Sequence, residues 1–343
     1  MSNPKAVLYG LAGPRVAPDE HAFFAAAQPL GFILFGRNVE TPAQVRALTA
    51  ELRAIVGRAD APILIDQEGG RVQRLKPPHW RSAPPAARFG VLYRRDAATG
   101  LEATRLNAQL IGQELIDLGI TVDCAPVLDL SFPGAHDVIG DRAFDRDPAI
   151  VAALGAAYCD GLRAAGVTPV IKHVPGHGRA LVDSHRELPT LSEAAETLMA
   201  TDFAPFRQVG GGAGSDRCWA MTAHIVCQTY DASAPVTQSA RAIARVIRGA
   251  IGFDGVLVSD DLSMEALSGD VATRARTALA AGCDAVLHCT GDLADMRAAD
   301  DAIGPLSASA AARVARAAAA LPAPMRFDRG AATARLDDLL AAA

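Results

Sequence analysis

Residues 167–189 read VTPVIKHVPGHGRALVDSHRELP. The apolar run at 167–171 predicts a buried strand, and the prolines and glycines that follow it end any regular element. Titratable side chains are concentrated in this short segment: His173, His177, Asp183 and His185. Loops at strand ends are where enzymes commonly place their catalytic groups. The segment therefore predicts a strand that leads into a catalytic loop.

Seven further apolar runs of strand length occur along the chain, separated by segments with helical spacing of apolar residues. With the run above, the predicted strands are 6–10, 31–35, 62–66, 120–123, 168–172, 219–223, 256–260 and 285–289. The predicted helices are 41–57, 97–118, 147–166, one in the 190s, 238–250, 271–281 and 307–320. Thr41-Pro42 and Asp147-Pro148 are typical helix starts, and Thr190 with Glu193 forms a candidate capping box.

Alternating strands and helices predict parallel strands with helical crossovers. Eight such units favour one (β/α)8 TIM barrel over residues 1–343, with long insertions at 67–96 and 124–146 and C-terminal helices from about residue 307. A doubly wound open sheet is the alternative. No segment rich in proline, glycine and serine divides the chain, so we expect one catalytic domain.

Polar residues follow most of the predicted strands, as expected at the catalytic end of a barrel. Asp66 ends the third run and begins the sequence DQEGGR, while Asp123 and Asp129 follow the fourth. Lys172-His173, His224 and Ser259-Asp260-Asp261 end the next three runs. This agreement between segments that are far apart in the chain predicts one active site at the carboxyl ends of the strands.

Composition excludes several other classes of protein. Half of the 343 residues are hydrophobic and the net charge is −5, without the basic surface expected of a nucleic-acid-binding protein. The six cysteines form no CxxC pair, which favours reduced, buried thiols. The sequence contains no signal-peptide pattern and no apolar run long enough to span a membrane. We expect a cytoplasmic monomer that binds neither membranes nor nucleic acid.

Asp260 directly follows the apolar run GVLVS and is a candidate nucleophile for glycosyl transfer. A helix N-cap is the alternative role for Asp260 and for Asp261. His185 is a candidate general acid/base, because imidazole exchanges protons near neutrality. Asp183 could orient the His185 ring as its dyad partner. His224 is ambiguous between contact with a ligand and a structural role.

The other polar groups at the strand ends suit a sugar. Asp66 could accept hydrogen bonds from two hydroxyls, and Lys172 and His173 could donate to hydroxyl oxygens. Arg74 and Arg142 could complete the polar surround. A metal site formed by His173, His177 and His185 is the alternative, although Pro175 and Gly176 prevent the helix that would bring the first two histidines together.

Several segments resemble those of glycoside hydrolase family 3, and most closely its bacterial β-N-acetylhexosaminidase branch. They occur in the same order over roughly residues 5–290: ILIDQEGGRVQR, APVLDL, VIGDRAF, KHVPGHG with the later DSH, MTAHIV and VLVSDDLSM. The resemblance implies a TIM-barrel enzyme without a cofactor or metal. It also implies a retaining enzyme that removes terminal β-linked N-acetylglucosamine from anhydro-muropeptides during cell-wall recycling.

The resemblance also implies roles for individual residues. Asp260 matches the nucleophile, His185 the general acid/base and Asp183 its partner. The positions that match residues binding the N-acetylglucosamine unit are Asp66, Arg74, Arg142, Lys172 and His173. This chain has Arg179 where the family often has aspartate, and Val174 where the family has phenylalanine.

Three alternatives to hydrolysis at Asp260 remain. The enzyme could transfer the sugar to phosphate instead of water, which would release a sugar 1-phosphate. A metal-dependent hydrolase could use the three histidines and would be sensitive to chelators. A sugar-binding protein without activity would use the same scaffold, but every proposed catalytic position is present.

Overall fold

The computed structural model describes residues 3–184, 187–325 and 327–341. Eight parallel strands form a closed barrel, with each strand next to its predecessor in the chain. We number them β1 to β8: Lys5–Tyr9, Pro29–Leu34, Ile63–Ile65, Val122–Asp123, Thr168–Val174, Trp219–Thr222, Leu257–Asp261 and Ala285–His288. Strand β8 closes the ring against β1, with Val286 opposite Val7. The predicted TIM barrel is confirmed, and the open-sheet alternative is wrong.

Helices occupy the crossovers and the C-terminal part of the chain. The α-helices are Pro18–Ala27, Pro42–Ile55, Ala86–Arg95, Ala97–Ile116, Pro148–Ala164, Ala195–Ala200, Ala204–Gly210, Ala240–Ala242, Val271–Ala281, Leu293–Asp300, Ala308–Ala320 and Arg329–Ala341. Ile243–Ala250 continues the Ala240–Ala242 turn as a π-helix. Short 3₁₀ turns are Gly36–Asn38, Gly140–Arg142, Gly212–Arg217 and Val236–Gln238.

Two predicted helix starts have the expected caps. The Thr41 hydroxyl accepts a hydrogen bond from the Gln44 backbone N–H at 3.2 Å, and Pro42 follows as the first helical residue. The Asp147 carboxylate accepts from the Ala149 N–H at 2.9 Å. Both side chains satisfy N–H groups that lack a partner at a helix N-terminus.

The predicted capping box at Thr190 and Glu193 is wrong. Thr190–Leu191 instead pairs in parallel with Val226–Cys227, and the next helix begins at Ala195 without a side-chain cap. Backbone pairing to a distant segment has replaced the local capping interaction. This short ladder fixes the far end of the histidine-rich loop, because the Val226 N–H also donates to the Pro189 carbonyl.

The two predicted insertions meet above the carboxyl ends of the strands. The first contains an antiparallel pair, Gln67–Gly69 with Val72–Gln73, followed by the helix Ala86–Arg95. The second contains the turn Gly140–Arg142. Arg71 joins them, since its Nε donates to Asp141 Oδ1 at 3.0 Å. This contact helps to bring Arg142 to the barrel mouth.

The barrel interior and the layer between strands and helices form one apolar core. All six cysteines are buried and unpaired, as the sequence predicts. Among the described residues, no helix combines the length and the apolar character that crossing a membrane requires.

Candidate active site

A cavity of about 300 Å³ opens at the carboxyl ends of the strands. Six of the predicted site residues line it together: Asp66, Arg74, Arg142, Lys172, His173 and Asp260. They come from the ends of β3, β5 and β7 and from the two insertions, so only the folded barrel brings them together. Carboxyl ends of strands are where barrel enzymes place catalytic groups.

Asp66 lies between two cations. Lys172 Nζ donates to Asp66 Oδ1 at 2.8 Å, and Arg74 Nη2 donates to Asp66 Oδ2 at 3.0 Å. Burial raises the pKa of the Asp66 carboxyl, but these two cations lower it by more, and the net pKa lies well below the ordinary value. Asp66 is therefore ionised, and its remaining lone pairs can accept sugar hydroxyls.

Glu68 is a further residue of the cavity, and its local sequence predicts no role for it. Arg142 binds it through two parallel hydrogen bonds, from Nε and Nη2, each 2.8 Å long. Lys172 Nζ lies 2.7 Å from Glu68 Oε1. Burial raises the Glu68 pKa, but the two cations outweigh burial and lower the pKa to about 2. Glu68 thus connects Lys172, which also binds Asp66, with Arg142 of the second insertion.

The buried Asp129 carboxylate organises the end of β5. It accepts hydrogen bonds from the backbone N–H groups of His173 and His177, and its Oδ2 lies 2.7 Å from His173 Nδ1. A carboxylate can only accept hydrogen bonds, so this contact places a proton on Nδ1 of His173. His173 is thereby oriented at the edge of the cavity, with Nε2 as its other polar atom.

His177 connects two parts of the histidine-rich loop. Its Nε2 lies 3.0 Å from the Ser184 hydroxyl, and both side chains are buried. Burial lowers the pKa of His177 to about 4, so the ring is neutral at physiological pH. This contact ties the first turn of the loop to the residue that immediately precedes His185.

Asp260 and Asp261 have different surroundings at the end of β7. Asp260 lines the cavity, and its Oδ1 accepts from the Asp261 N–H at 2.8 Å. Burial raises the pKa of Asp260. His173, His224 and the hydrogen bond from the Asp261 N–H lower it by more, so the pKa lies below its ordinary value. Asp260 is therefore a partly buried, ionised carboxylate facing the cavity, as a nucleophile requires.

The N-cap alternative is wrong for both aspartates. The helix after β7 begins only at Val271 and is capped by Asp270. Asp261 instead closes a turn: its carboxylate accepts from the backbone N–H and the hydroxyl of Ser263, and from the Cys289 N–H at 3.1 Å. Asp261 thus fixes the loops after β7 and β8.

His224 is a satisfied structural histidine. Its Nε2 donates to the Asp261 carbonyl at 3.0 Å, and its Nδ1 lies 2.7 Å from the Thr237 hydroxyl. The side chain is fully buried, and burial lowers its pKa. Both ring nitrogens are used within the protein, which removes the ambiguity in the sequence.

The predicted catalytic dyad is described only in part. His185, the candidate acid/base, lies outside the described residues. Asp183 is described, and its carbonyl accepts from the Glu187 N–H at 2.9 Å. The Ser184 carbonyl accepts from the Ala266 N–H at 3.3 Å, so the loop reaches across to the segment that follows β7.

The alternative metal site depends on His185, which the structure does not describe. The rings of His173 and His177 are 5.9 Å apart, and each already has a ring nitrogen beside an Asp129 or Ser184 oxygen. In the described parts of the chain, no three histidine, cysteine or acidic side chains converge as metal ligands would.

Comparison with known proteins adds independent evidence. Residues 10–320 match the glycosyl hydrolase family 3 N terminal domain. A beta-hexosaminidase of Alkalilimnicola ehrlichii is 40% identical over 286 residues, which cover 82% of this chain and 80% of the relative. A beta-hexosaminidase of Bordetella avium is 37% identical over 297 residues, covering 85% and 83%.

Solved structures agree with these sequence matches. NagZ from Neisseria gonorrhoeae, solved in complex with N-trifluoroacetyl-D-glucosamine, superposes with a TM-score of 0.84 at 31% identity, covering 99% of this chain and 97% of that one. LpqI from M. tuberculosis gives a TM-score of 0.76 at 30% identity, covering 94% and 92%. The match over most of the chain confirms the family that the sequence motifs indicate. The chain belongs to glycoside hydrolase family 3.

Proposed function

We propose that this protein is a retaining exo-β-N-acetylglucosaminidase that forms a covalent glycosyl-enzyme on Asp260. Its broader class, a glycoside hydrolase of the β-N-acetylhexosaminidase type, is confirmed by the family and by the relatives' names. The observation that carries the finer proposal is the cavity, in which the ionised Asp260 faces the same space as the polar groups around Asp66. The ligand of the gonococcal structure, an N-acylated glucosamine, supports the same sugar here.

The reaction would proceed in two displacements. The Asp260 carboxylate attacks the anomeric carbon as the bond to the leaving oxygen breaks, and protonated His185 gives its proton to that oxygen. Neutral His185 then takes a proton from water as the water oxygen attacks the anomeric carbon and releases Asp260. Asp183 orients His185 in both steps, and two inversions retain the β configuration.

The other cavity residues bind the sugar in this proposal. Asp66 accepts from two sugar hydroxyls, because its cations leave it ionised. Lys172, Arg142, Arg74 and His173 donate to hydroxyl or amide oxygens. Glu68 keeps Lys172 and Arg142 in place, so that these donors are oriented before the substrate arrives.

The physiological role follows from the same proposal. The substrate would be a peptidoglycan fragment in which N-acetylglucosamine is linked to an anhydro-muropeptide. Such fragments would reach the enzyme during cell-wall recycling. The protein would act in the cytoplasm as a monomer, with residues 1–343 as one catalytic domain and no cofactor.

The test is release of 4-nitrophenol from 4-nitrophenyl N-acetyl-β-D-glucosaminide by the wild type, Asp260→Ala and His185→Ala, with and without chelator. We expect chelator-resistant wild-type activity that Asp260→Ala abolishes. Activity that survives Asp260→Ala, or that chelator removes, would contradict the proposal. Sugar 1-phosphate formed only with added phosphate would identify the phosphate-dependent alternative.

A further inference from the structure

Arg179 connects the start of the histidine-rich loop to the rest of the protein. Its Nε donates to Asp202 Oδ2 at 2.8 Å, and its Nη2 donates to Thr201 Oγ1 at 3.1 Å. A third nitrogen, Nη1, lies 3.8 Å from Glu193 Oε1. The guanidinium carbon lies 3.9 Å from the centre of the Phe132 ring. One side chain thus contacts two segments that are separate from its own loop.

The ion pair with Asp202 is largely shielded from water. The Asp202 side chain is 1% exposed and that of Arg179 is 19% exposed. The other Asp202 oxygen, Oδ1, is buried and has no hydrogen-bond partner among the described residues. Removing one partner of such a pair leaves a buried charge without compensation, which is strongly unfavourable. The contact is therefore a firm attachment point, unlike an exposed surface ion pair.

The Arg179–Asp202 ion pair lies between a tightly packed part of the histidine-rich loop and an exposed part. Before Arg179, Asp129 holds the His177 N–H at 2.6 Å and Gly178 packs against the Leu130 backbone. After Arg179, Leu181 is 75% exposed, and the chain becomes buried again at Ser184, which is 4% exposed. Arg179 thus anchors the near side of this exposed turn, while Ser184, in contact with His177, anchors its far side.

We propose that Arg179 is a positioning residue that holds the base of this loop so that His185 can reach the leaving oxygen of the substrate. The inference rests on the proposed function, in which the loop supplies the acid/base. Arg179 itself does not line the cavity in the described structure. It acts through the backbone between residues 179 and 185.

The pairing with Asp202 makes the charge of the side chain at position 179 important. An aspartate at 179 would place a second carboxylate beside the buried Asp202 and repel it. Arg179→Asp should therefore impair this enzyme more than Arg179→Ala. Asp202→Asn in the Arg179→Asp background should restore part of the activity, because it removes the repulsion. Arg179→Lys should be intermediate, since lysine keeps the charge but loses the planar fork and the stacking on Phe132.

The experiment compares kcat/KM on two substrates that need protonation to different extents. 4-Nitrophenol leaves readily without a proton, whereas the sugar released from N,N′-diacetylchitobiose requires one. A displaced general acid should matter mainly for the second substrate, since general acids contribute roughly 10²–10⁴-fold. We expect Arg179→Ala to lower kcat/KM for the disaccharide by about 10-fold or more, and by less than about 3-fold for the nitrophenyl glycoside.

Arg207→Ala is the matched control, because Arg207 is exposed on the neighbouring helix Ala204–Gly210. It should match the wild type on both substrates. Equal losses by Arg179→Ala on both substrates would mean that fewer molecules are folded, and would overturn the inference. Wild-type values for Arg179→Ala on the disaccharide would overturn it as well.

Hydrogen exchange separates this inference from the proposed function. Arg179→Ala should accelerate exchange at least 10-fold at the amides of Ala180 and Glu187, which hydrogen-bond within the loop. Barrel amides should be unchanged. A wild type that cleaves neither substrate would refute the proposed function, whereas unchanged loop exchange would refute the inference.

Discussion

At the scale of single residues, the sequence identifies the cavity residues better than it identifies their support. Asp66, Lys172 and Asp260 stand directly at the ends of apolar runs, and the structure brings them to one cavity. Glu68 was missed although it stands two residues after Asp66. Its importance comes from Arg142, which is 74 positions further along the chain. Nothing in the local pattern links the two residues.

Replacing Glu68 with glutamine tests its role as a support. A neutral amide leaves Lys172 and Arg142 only partly compensated, and breaking a buried ion pair costs about 3–5 kcal/mol of unfolding free energy. We expect Glu68→Gln to be less stable at pH 7 by an amount of this order and to raise KM. Urea unfolding and steady-state kinetics measure the two effects. A variant with wild-type stability and KM would contradict the role.

The ion pairs of Glu68 also predict how the free energy of unfolding changes with pH. The folded-state pKa of Glu68 is lowered from 4.5 to about 2. Its stabilising contribution is therefore complete above pH ~4.5 and is lost as the pH falls towards about 2. The difference in unfolding free energy between wild type and Glu68→Gln should narrow between pH 5 and pH 3. A constant difference over this range would show that Glu68 is not the titrating group.

At the scale of elements, apolar runs predicted all eight barrel strands, while local capping signals were less reliable. Thr41 and Asp147 cap helices as expected. Thr190 has an equally good local signal, yet pairs with Val226 in a ladder. The local signal fails where a distant segment offers backbone hydrogen bonds, and no pattern around residue 190 reveals that segment.

Gly178 sets how closely the histidine-rich loop approaches the segment after β4. A Cβ atom at this position would lie 2.0 Å from the Leu130 carbonyl oxygen. Gly178→Ala must therefore push the loop away, at a cost of roughly 1–3 kcal/mol. We expect a fall in kcat of about 10-fold or more, the loss typical of an impaired general acid, together with a lower melting temperature.

Gly304→Ala is the control for that experiment, since a Cβ at Gly304 would meet no atom within 4 Å. Gly178→Ala should have a lower kcat and a lower melting temperature than Gly304→Ala, as measured by steady-state kinetics and thermal unfolding. If Gly178→Ala retained the kcat of Gly304→Ala, close packing of the loop base would be irrelevant to catalysis.

At the scale of the whole molecule, the two ends of the barrel serve different purposes. The carboxyl ends carry the cavity, whereas Asp284 stands just before β8 at the opposite end. Arg248 and Arg313 bind its carboxylate at 3.0 and 2.9 Å, and the Leu257 N–H donates to it at 2.9 Å. Residues at this end of a barrel contribute to stability.

Asp284→Ala should therefore lower stability and leave the chemistry unchanged. It leaves two arginines without their shared carboxylate, so we expect a loss of about 3–5 kcal/mol in unfolding free energy. Below its melting temperature, kcat and KM should stay within about 2-fold of the wild type, because barrel activity resides at the other end. A change in KM without a loss of stability would contradict the assignment of stability to this end of the barrel and of activity to the other.

The central claim concerns the whole catalytic cycle: the sugar becomes covalently attached to Asp260. A fluorinated N-acetylglucosaminyl fluoride slows hydrolysis of the glycosyl-enzyme, so that mass spectrometry of proteolytic fragments can locate the attached sugar. We predict one added sugar on Asp260, and none on the Asp260→Asn variant. Turnover of the wild type with no adduct, or with the sugar on another residue, would contradict the account.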